Sequence, residues 1–371
     1  MSGGVLVDRE LRAAALEGWI TAPVPIADAQ FQPASLDLRL GAVAYQLRAS
    51  FLPFRETVER RLADADLMID RVSLESGATL ARGSVYLVPL LERLALPGEV
   101  RGRSNPKSTT GRLDIFTRVI SDRSGRFDEI RGGYEGPLYL EVSPQSFPVR
   151  VQSGLSLNQL RLLAGSASLD DGALTMLYSA TPLLYDDDDD RPIPLERAVF
   201  NDGLCMGVDL SGRRTDGIIG YRAHPNPPAV DLARVGAYDP AEFWEPVKRP
   251  GREAFILESN RFYILVSKER IRVPPDFAAE MVVYDAGAGE IRTHYAGFFD
   301  PGFGWGDGSV LGTKVVMEVR AREVPFLVYD GQTSFKVWFE QLRSRPDRVY
   351  GVGLESSYQH QTLSLSKHFR R

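Results

Sequence analysis

Along most of this chain, apolar residues come in short bursts closed off by Gly, Pro, Asp or Ser. "SLDLRLG", "SVYLVPL", "DIFTRVI", "PLYLEVS" and "FPVRVQSG" fall in the first half; "FYILVS", "MVVYD", "TKVVMEV" and "PFLVYDG" fall in the second. Runs this short, rich in Val, Leu, Tyr and Phe and punctuated by turn formers, read as strands. A series of them predicts a mainly β protein, a sandwich or barrel. Helical spacing shows at the start, where Asp8 can cap a helix, Leu11, Ala15 and Leu16 share a face, and Gly18 can end it. "DPAEFW" (239–244) predicts a second short helix, with Asp239 as cap and Pro240 in the first turn. The 34 Gly and 24 Pro fit a chain of many turns rather than long helices.

The pattern also repeats. Shifted by 177 positions, "SVYLVPLLERLALP" (84–97) lies on "RFYILVSKERIRVP" (261–274), so that Tyr86 meets Tyr263, Glu92 meets Glu269 and Pro97 meets Pro274. The same shift sets "LYLEV" (138–142) on "VVMEV" (315–319), pairing Glu141 with Glu318, and aligns Gly154 with Gly331. One constant register at so many points implies two related β domains. Their expected bounds are 1–175 and 191–371. "YDDDDDRP" (185–192) stands between them, and an acidic linker over 176–190 is the reading that its mutual repulsion favours.

At 371 residues the chain is long enough for two domains. A formal net charge of −5 argues against a general nucleic-acid coat, so any phosphate binding must come from a local basic pocket. The single cysteine, Cys205, precludes an intrachain disulfide and a Cys-rich zinc site, and its expected place is in a core. No apolar run approaches membrane-spanning length, and Asp8 and Glu10 sit where a signal peptide would be basic and then apolar. The expectation is a cytoplasmic protein that binds neither membrane nor nucleic acid.

The stretch "RSNPKSTTGR" (103–112) departs from scaffold chemistry: three cations, four hydroxyls and no acid. Gly102 to Ser108 resembles a phosphate loop, but Pro106 stands where the second glycine belongs and supplies no N–H. A loop of that kind also opens a long helix, whereas strands follow here. Under the repeat register Lys107 faces Tyr284, Ser108 faces Asp285 and Arg112 faces Gly289. The second copy therefore lacks this set, and the anion end of any site is expected in the first. The second copy has its own distinctive stretch, "THYAGFFDPGFGWG" (293–306), whose His294 reads as structural.

"FQPASLDLRLG" (31–41), "KSTTGRL" (107–113), "GGYEGPLYLEV" (132–142) and the tail "SYQHQTLSLSKHF" (357–369) resemble the dCTP deaminase branch of the dUTPase-like superfamily. The likeness covers most of the first repeat, and this chain looks like a long, duplicated bacterial form. The resemblance implies two tandem distorted jelly-roll domains, trimer-based homo-oligomers, dCTP as substrate, dTTP as an inhibitor, and Mg²⁺ carried by the nucleotide triphosphate. It implies that Lys107, Ser108 and Thr109 hold triphosphate or the attacking water, that Arg112 lies beside the catalytic Glu141, and that Ser121 and Asp122 lie near the backbone that reads cytosine. Tyr134 falls where an aromatic packs on the deoxyribose. Tyr350, Tyr358 and Gln361 match residues that fold over the triphosphate. Two departures stand out: Ser357 replaces a frequent Lys, and "DRSGRFDEIRGGY" (122–134) is longer than the usual turn, so Asp128 and Arg123 carry no role over.

The chemistry can be stated apart from the family. Zinc deaminases use an H-x-E and P-C-x-x-C signature, which one Cys and four scattered His (224, 294, 360 and 368) cannot build. A zinc-free route leaves the proton work to a carboxylate, and Glu141 in an apolar strand is the candidate, with Arg112 to orient it and Ser108 to hold the water. The leading expectation is hydrolytic deamination of dCTP to dUTP and ammonia, feeding dTTP synthesis. A dUTPase, a bifunctional enzyme releasing dUMP, and a nucleotide-binding regulator without turnover are the alternatives.

Overall fold

The computed structural model describes residues 3–63, 66–251, 253–283, 291–293, 297–321, 323–352 and 358–370. Most of 282–289, His294 and Ser357, named above, lie outside the described residues. The fold is mainly β, and each of the nine strand-like bursts contains a strand. The chain divides into two compact units. Unit 1 comprises Met1–Ser166, Pro225–Glu242 and Ser366–Arg371; unit 2 comprises Ala167–His224 and Phe243–Leu365. Among the described residues, no helix is long and apolar enough to cross a membrane.

Unit 1 is built on two six-stranded antiparallel sheets. One runs Glu129–Ile130, Val100–Pro106, Ser156–Ala164, Ser35–Arg39, Phe31–Gln32, with Gly4–Val5 beside Ser156–Ala164; the other runs Ile115–Ser121, Glu135–Pro144, Val85–Ala95, Val43–Leu47, Met68–Ser73, with Ile20–Thr21 beside Val85–Ala95. Alternation along the strands sends Leu140 and Val142 to one face of the second sheet and Tyr139 and Glu141 to the other. The second face is roofed. The excursion from Arg48 to Leu67, which includes the helix Val58–Leu62, covers it with a small apolar cluster of Leu47, Val58, Leu87, Ile120 and Tyr139. The opening helix, Asp8–Leu16, is present but shifted from its expected pattern: Val7 is the cap position, and Glu10 reaches back to the Val7 amide at 3.0 Å. Its buried face is Asp8, Leu11 and Ala14, with Asp8 paired to Arg12 at 3.2 Å, while Leu16 is exposed. The second expected helix is a single turn, Pro240–Glu242, with the Asp239 carboxylate accepting from the Ala241 amide.

Unit 2 has a six-stranded sheet (Trp244–Lys248, Ile218–Ala223, Phe262–Ile271, Thr313–Ala321, Ile291–Thr293, with Leu184–Tyr185 beside Phe262–Ile271) and a four-stranded one (Leu204–Gly207, Thr333–Gln341, Phe277–Val283, Phe298–Phe299). Cys205 is buried there. The 177-residue repeat is visible in the pairing itself. Glu141 stands opposite Leu87 and Glu318 opposite Ile264. The Tyr86 hydroxyl accepts from the Ala81 amide at 3.0 Å, and the Tyr263 hydroxyl from the Glu258 amide at 3.2 Å. The acidic run lies inside unit 2, where charge repulsion is offset by cations. Arg213 pairs with Asp188, Arg270 with Asp190 at 2.6 Å, and Lys314 with Asp187 at 3.0 Å.

Glu92 ties the first sheet to the second in unit 1. It is fully buried, and accepts from the Arg39 amide at 2.7 Å, the Arg39 guanidinium at 2.7 Å and the Gln30 amide at 3.1 Å. Replacing one partner of a buried ion pair leaves the other charge uncompensated, at about 3–5 kcal/mol. Glu92→Leu is therefore expected to lower the stability of unit 1 by about that amount. The measurement is urea unfolding followed by probes in each unit, and an unchanged unit 1 midpoint would contradict it.

Candidate active site

The site is assembled where Ile115–Ser121 pairs with Glu135–Pro144. Arg118 and Glu141 are direct cross-strand partners and so share the roofed face. Arg118 donates to Glu141 Oε1 through Nε at 3.0 Å and Nη2 at 2.6 Å. Its Nη2 also reaches the Ser50 hydroxyl at 2.8 Å. The guanidinium lies 3.5 Å from the ring centre of Phe127 and 4.7 Å from that of Phe116. Phe116 is two residues from Arg118 and therefore on the same face. Glu141 is 2% exposed. Its second oxygen, Oε2, is buried and has no hydrogen-bond partner among the described residues.

The opposite face of the same strand leads to the basic stretch. The Thr117 hydroxyl donates to Asn158 Oδ1, and Asn158 stands opposite Pro106 in the other sheet. Val100–Pro106, which looks like a loop in the sequence, is a strand; it ends at Pro106 and passes into the short turn Ser108–Gly111. Lys107 is half-buried and pairs with Asp37, whose own carboxyl is pushed up by burial against the pull of Lys107. Asp37 Oδ1 and Asn158 Nδ2 are buried without hydrogen-bond partners among the described residues. Ser108 is exposed, Thr109 half-buried, and Arg112 buried at the end of the turn. The Thr109 carbonyl accepts from the hydroxyl of Ser366, in the chain's last segment of unit 1, at 3.0 Å.

The structure distributes the remaining expected residues unevenly. The resemblance sets Arg112 beside the carboxylate, but the guanidinium that hydrogen-bonds Glu141 Oε1 is Arg118's. Asp122 caps the roof helix, its carboxylate accepting from the Val58 amide at 2.8 Å. Ser121 is buried opposite Leu138. Tyr134 is 1% exposed, and its hydroxyl donates to the Pro137 carbonyl at 2.6 Å and accepts from the Asp122 amide at 3.1 Å. Its ring has the Arg131 guanidinium over it, 5.9 Å from the centre. Tyr350, Tyr358 and Gln361 belong to unit 2, where Tyr350 packs on Phe303 and Gln361 donates to the Lys314 carbonyl at 2.8 Å.

A further carboxylate stands behind Arg118. Asp128, in the long turn after this strand, has φ +62°, a left-handed value that Asp tolerates. Its Oδ1 accepts from the Ser104 hydroxyl at 2.6 Å and the Val119 amide at 2.8 Å, while its own amide donates to the Val119 carbonyl at 2.9 Å. The residue keeps part of its surface in solvent, but the carboxyl group is surrounded by protein. That desolvation pushes it up to about 7, despite both hydrogen bonds and the nearby Arg118.

With this geometry in view, comparison with known proteins is decisive. Residues 2–166 match the family profile of the 2'-deoxycytidine 5'-triphosphate deaminase (DCD) N-terminal domain, and 171–369 match that of its C-terminal domain. The chain belongs to the dCTP deaminase family. It is therefore an enzyme by family. Among its relatives, the dCTP deaminase of Natronomonas pharaonis is 31% identical over 161 residues, covering 42% of this chain and 78% of that protein. A "dCTP deaminase, dUMP-forming" from Mycolicibacterium vanbaalenii is 31% identical over 165 residues, 43% of this chain and 80% of that one. The crystal structure of a 2'-deoxycytidine 5'-triphosphate deaminase from Agrobacterium tumefaciens aligns with TM-score 0.85 and 42% identity, over 92% of this chain and 100% of that chain.

In this dCTP deaminase family member, the raised carboxyl of Asp128 makes a prediction about pH. A folded-state value above the unfolded one means the proton-bound form is favoured on folding, so that stabilisation is present at low pH and fades as pH rises towards 7. Asp128→Asn removes this dependence. The difference in urea midpoint between Asp128→Asn and the parent is expected to grow in the variant's favour between about pH 4 and pH 7. A difference that stays flat across that range would contradict the assignment.

Proposed function

We propose that unit 1 deaminates the cytosine of dCTP, with Glu141 as the group that moves the protons. The observation that carries this reading is a carboxylate fixed through one oxygen and left with the other buried and unpartnered. Such an oxygen is a proton acceptor held in place at low dielectric. In the reaction, a water adds to cytosine C4 and gives its proton to Glu141 Oε2. Glu141 passes that proton to N3 as the C4=N3 bond becomes single. It then takes the proton of the new C4 hydroxyl and delivers it to the amino group, so that the C4–N4 bond breaks, ammonia leaves and the C4=O of uracil remains.

On this reading Ser108, Lys107 and Thr109 meet the triphosphate, which brings its own Mg²⁺ as part of the substrate. Arg112, buried at the end of the same turn, supplies fixed positive charge for the developing oxyanion or the phosphates. Unit 2 keeps the matching buried carboxylate, Glu318, but has neither the Lys107 nor the Arg112 counterpart in its sequence. The product on this reading is dUTP, for thymidylate synthesis. A second reading, release of dUMP after α–β phosphate cleavage, is favoured by the dUMP-forming names of several relatives.

Incubation with dCTP and with dUTP, each with Mg²⁺, followed by chromatography of the products, separates the two. dUTP from dCTP supports simple deamination, whereas dUMP from dCTP supports the second reading. Glu141→Gln is expected to cut deamination by about 10²–10⁴-fold while dCTP still binds. Glu318→Gln is expected to do much less. Equal loss from both would contradict placing the chemistry in unit 1.

A further inference from the structure

Arg118 is not among the residues that the sequence or the resemblance brings forward, yet its side chain is the most constrained cation beside Glu141. On strand geometry it lies directly across from Glu141, with Phe116 two residues away on the same face. Phe127 closes over the guanidinium from the long turn, 3.5 Å to the ring centre. The roof segment contributes the Ser50 hydroxyl, 2.8 Å from Nη2. The charged groups that face Arg118 are Glu141, through two hydrogen bonds to one oxygen, and Asp128, through its field. Arg118 is therefore anchored by its own strand, by the following turn and by the roof, with no anchor shared.

Two consequences follow from that fixation. A guanidinium is a planar fork with defined donor directions, and stacking on an aromatic ring fixes its plane. Two donors converge on Oε1, so the carboxylate cannot rotate to exchange its oxygens without losing both. The oxygen left over is always Oε2. That guanidinium also gives the buried carboxylate a fixed counter-charge on its Oε1 side.

We propose that Arg118 is the positioning residue of the deaminase: it holds one carboxylate oxygen of Glu141 from two donors and so leaves the other, Oε2, as the proton acceptor. This rests on Glu141 being the proton-transfer group, and the test keeps the two separable. The kcat and the KM for dCTP, together with the melting temperature, would be measured for the parent, Arg118→Met, Arg118→Lys and Glu141→Gln. Arg126→Met is the control, because Arg126 pairs with Glu129 on the surface of the same turn.

For Arg118→Met, kcat is expected to fall about 100-fold with KM changed by less than about threefold. Arg118→Lys restores charge but not the stacked fork, so its kcat is expected to stay well below the parent's, again with KM little changed. Arg126→Met should match the parent throughout. If Arg118→Met does not fold, Arg118→Lys against the control carries the test through its kcat at unchanged KM. A kcat for Arg118→Met that falls only in step with melting temperature would overturn the proposal and leave the role of Glu141 intact. A parent-like rate in Arg118→Lys would likewise refute the need for the fork. An active Glu141→Gln would remove the reading on which it rests.

Discussion

A carboxylate placed on a sheet face and then roofed from water must be paired, or it takes up a proton. In unit 1 this constraint falls on Glu141, and Arg118 answers it from the neighbouring strand. The arrangement around them follows from the need to hold that pair. The Arg48–Leu67 excursion removes the water and supplies Ser50. The long turn supplies Phe127, and Asp128 clips the turn to both neighbouring strands through Ser104 and Val119. Asp122 then fastens the roof helix back to the end of the same strand. The extra length of the 122–134 turn is thus explained as support for the pair.

Duplication gave the protein two such frames, and the two resolve their buried charge differently. In unit 1 the pairing leaves one carboxylate oxygen over. In unit 2 the 177-residue shift sets Lys314 where unit 1 has Pro137. The buried Lys314 ammonium is ringed by Asp187, Asp209 and the carbonyls of Ser267 and Lys268. An ammonium has three protons, and these acceptors use them all. At that position unit 2 thus holds a paired ammonium where unit 1 has an uncharged proline. The acidic run, which repulsion alone would keep solvated, is one of the elements that pairs it.

Strands with apolar alternation were legible in the sequence, as was the repeat, because burial on one face imposes a period on the residues. Val100–Pro106 was not legible. Arg101, Arg103, Ser104 and Asn105 give it the composition of a loop, and its pairing with Ser156–Ala164 and Glu129–Ile130 makes it a strand. Glu141 could be picked out because an acid in "LYLEV" breaks the apolar pattern. Its partner could not: which arginine faces it depends on the register between two strands, across residues 23 positions apart, and register is a property of the folded sheet. Asp128 was visible but had no assignable role, since nothing local shows that its carboxyl is enclosed. The pairing of Lys107 with Asp37 likewise joins residues 70 positions apart.

The most direct test of the account is a crystal structure of the Glu141→Gln variant with dCTP and Mg²⁺ bound. The expected result is the cytosine ring in unit 1, its C4 facing residue 141 across one water, and the triphosphate reaching Lys107. A nucleotide whose base lies against Glu318, with the substituted side chain at position 141 facing no ligand, would contradict it.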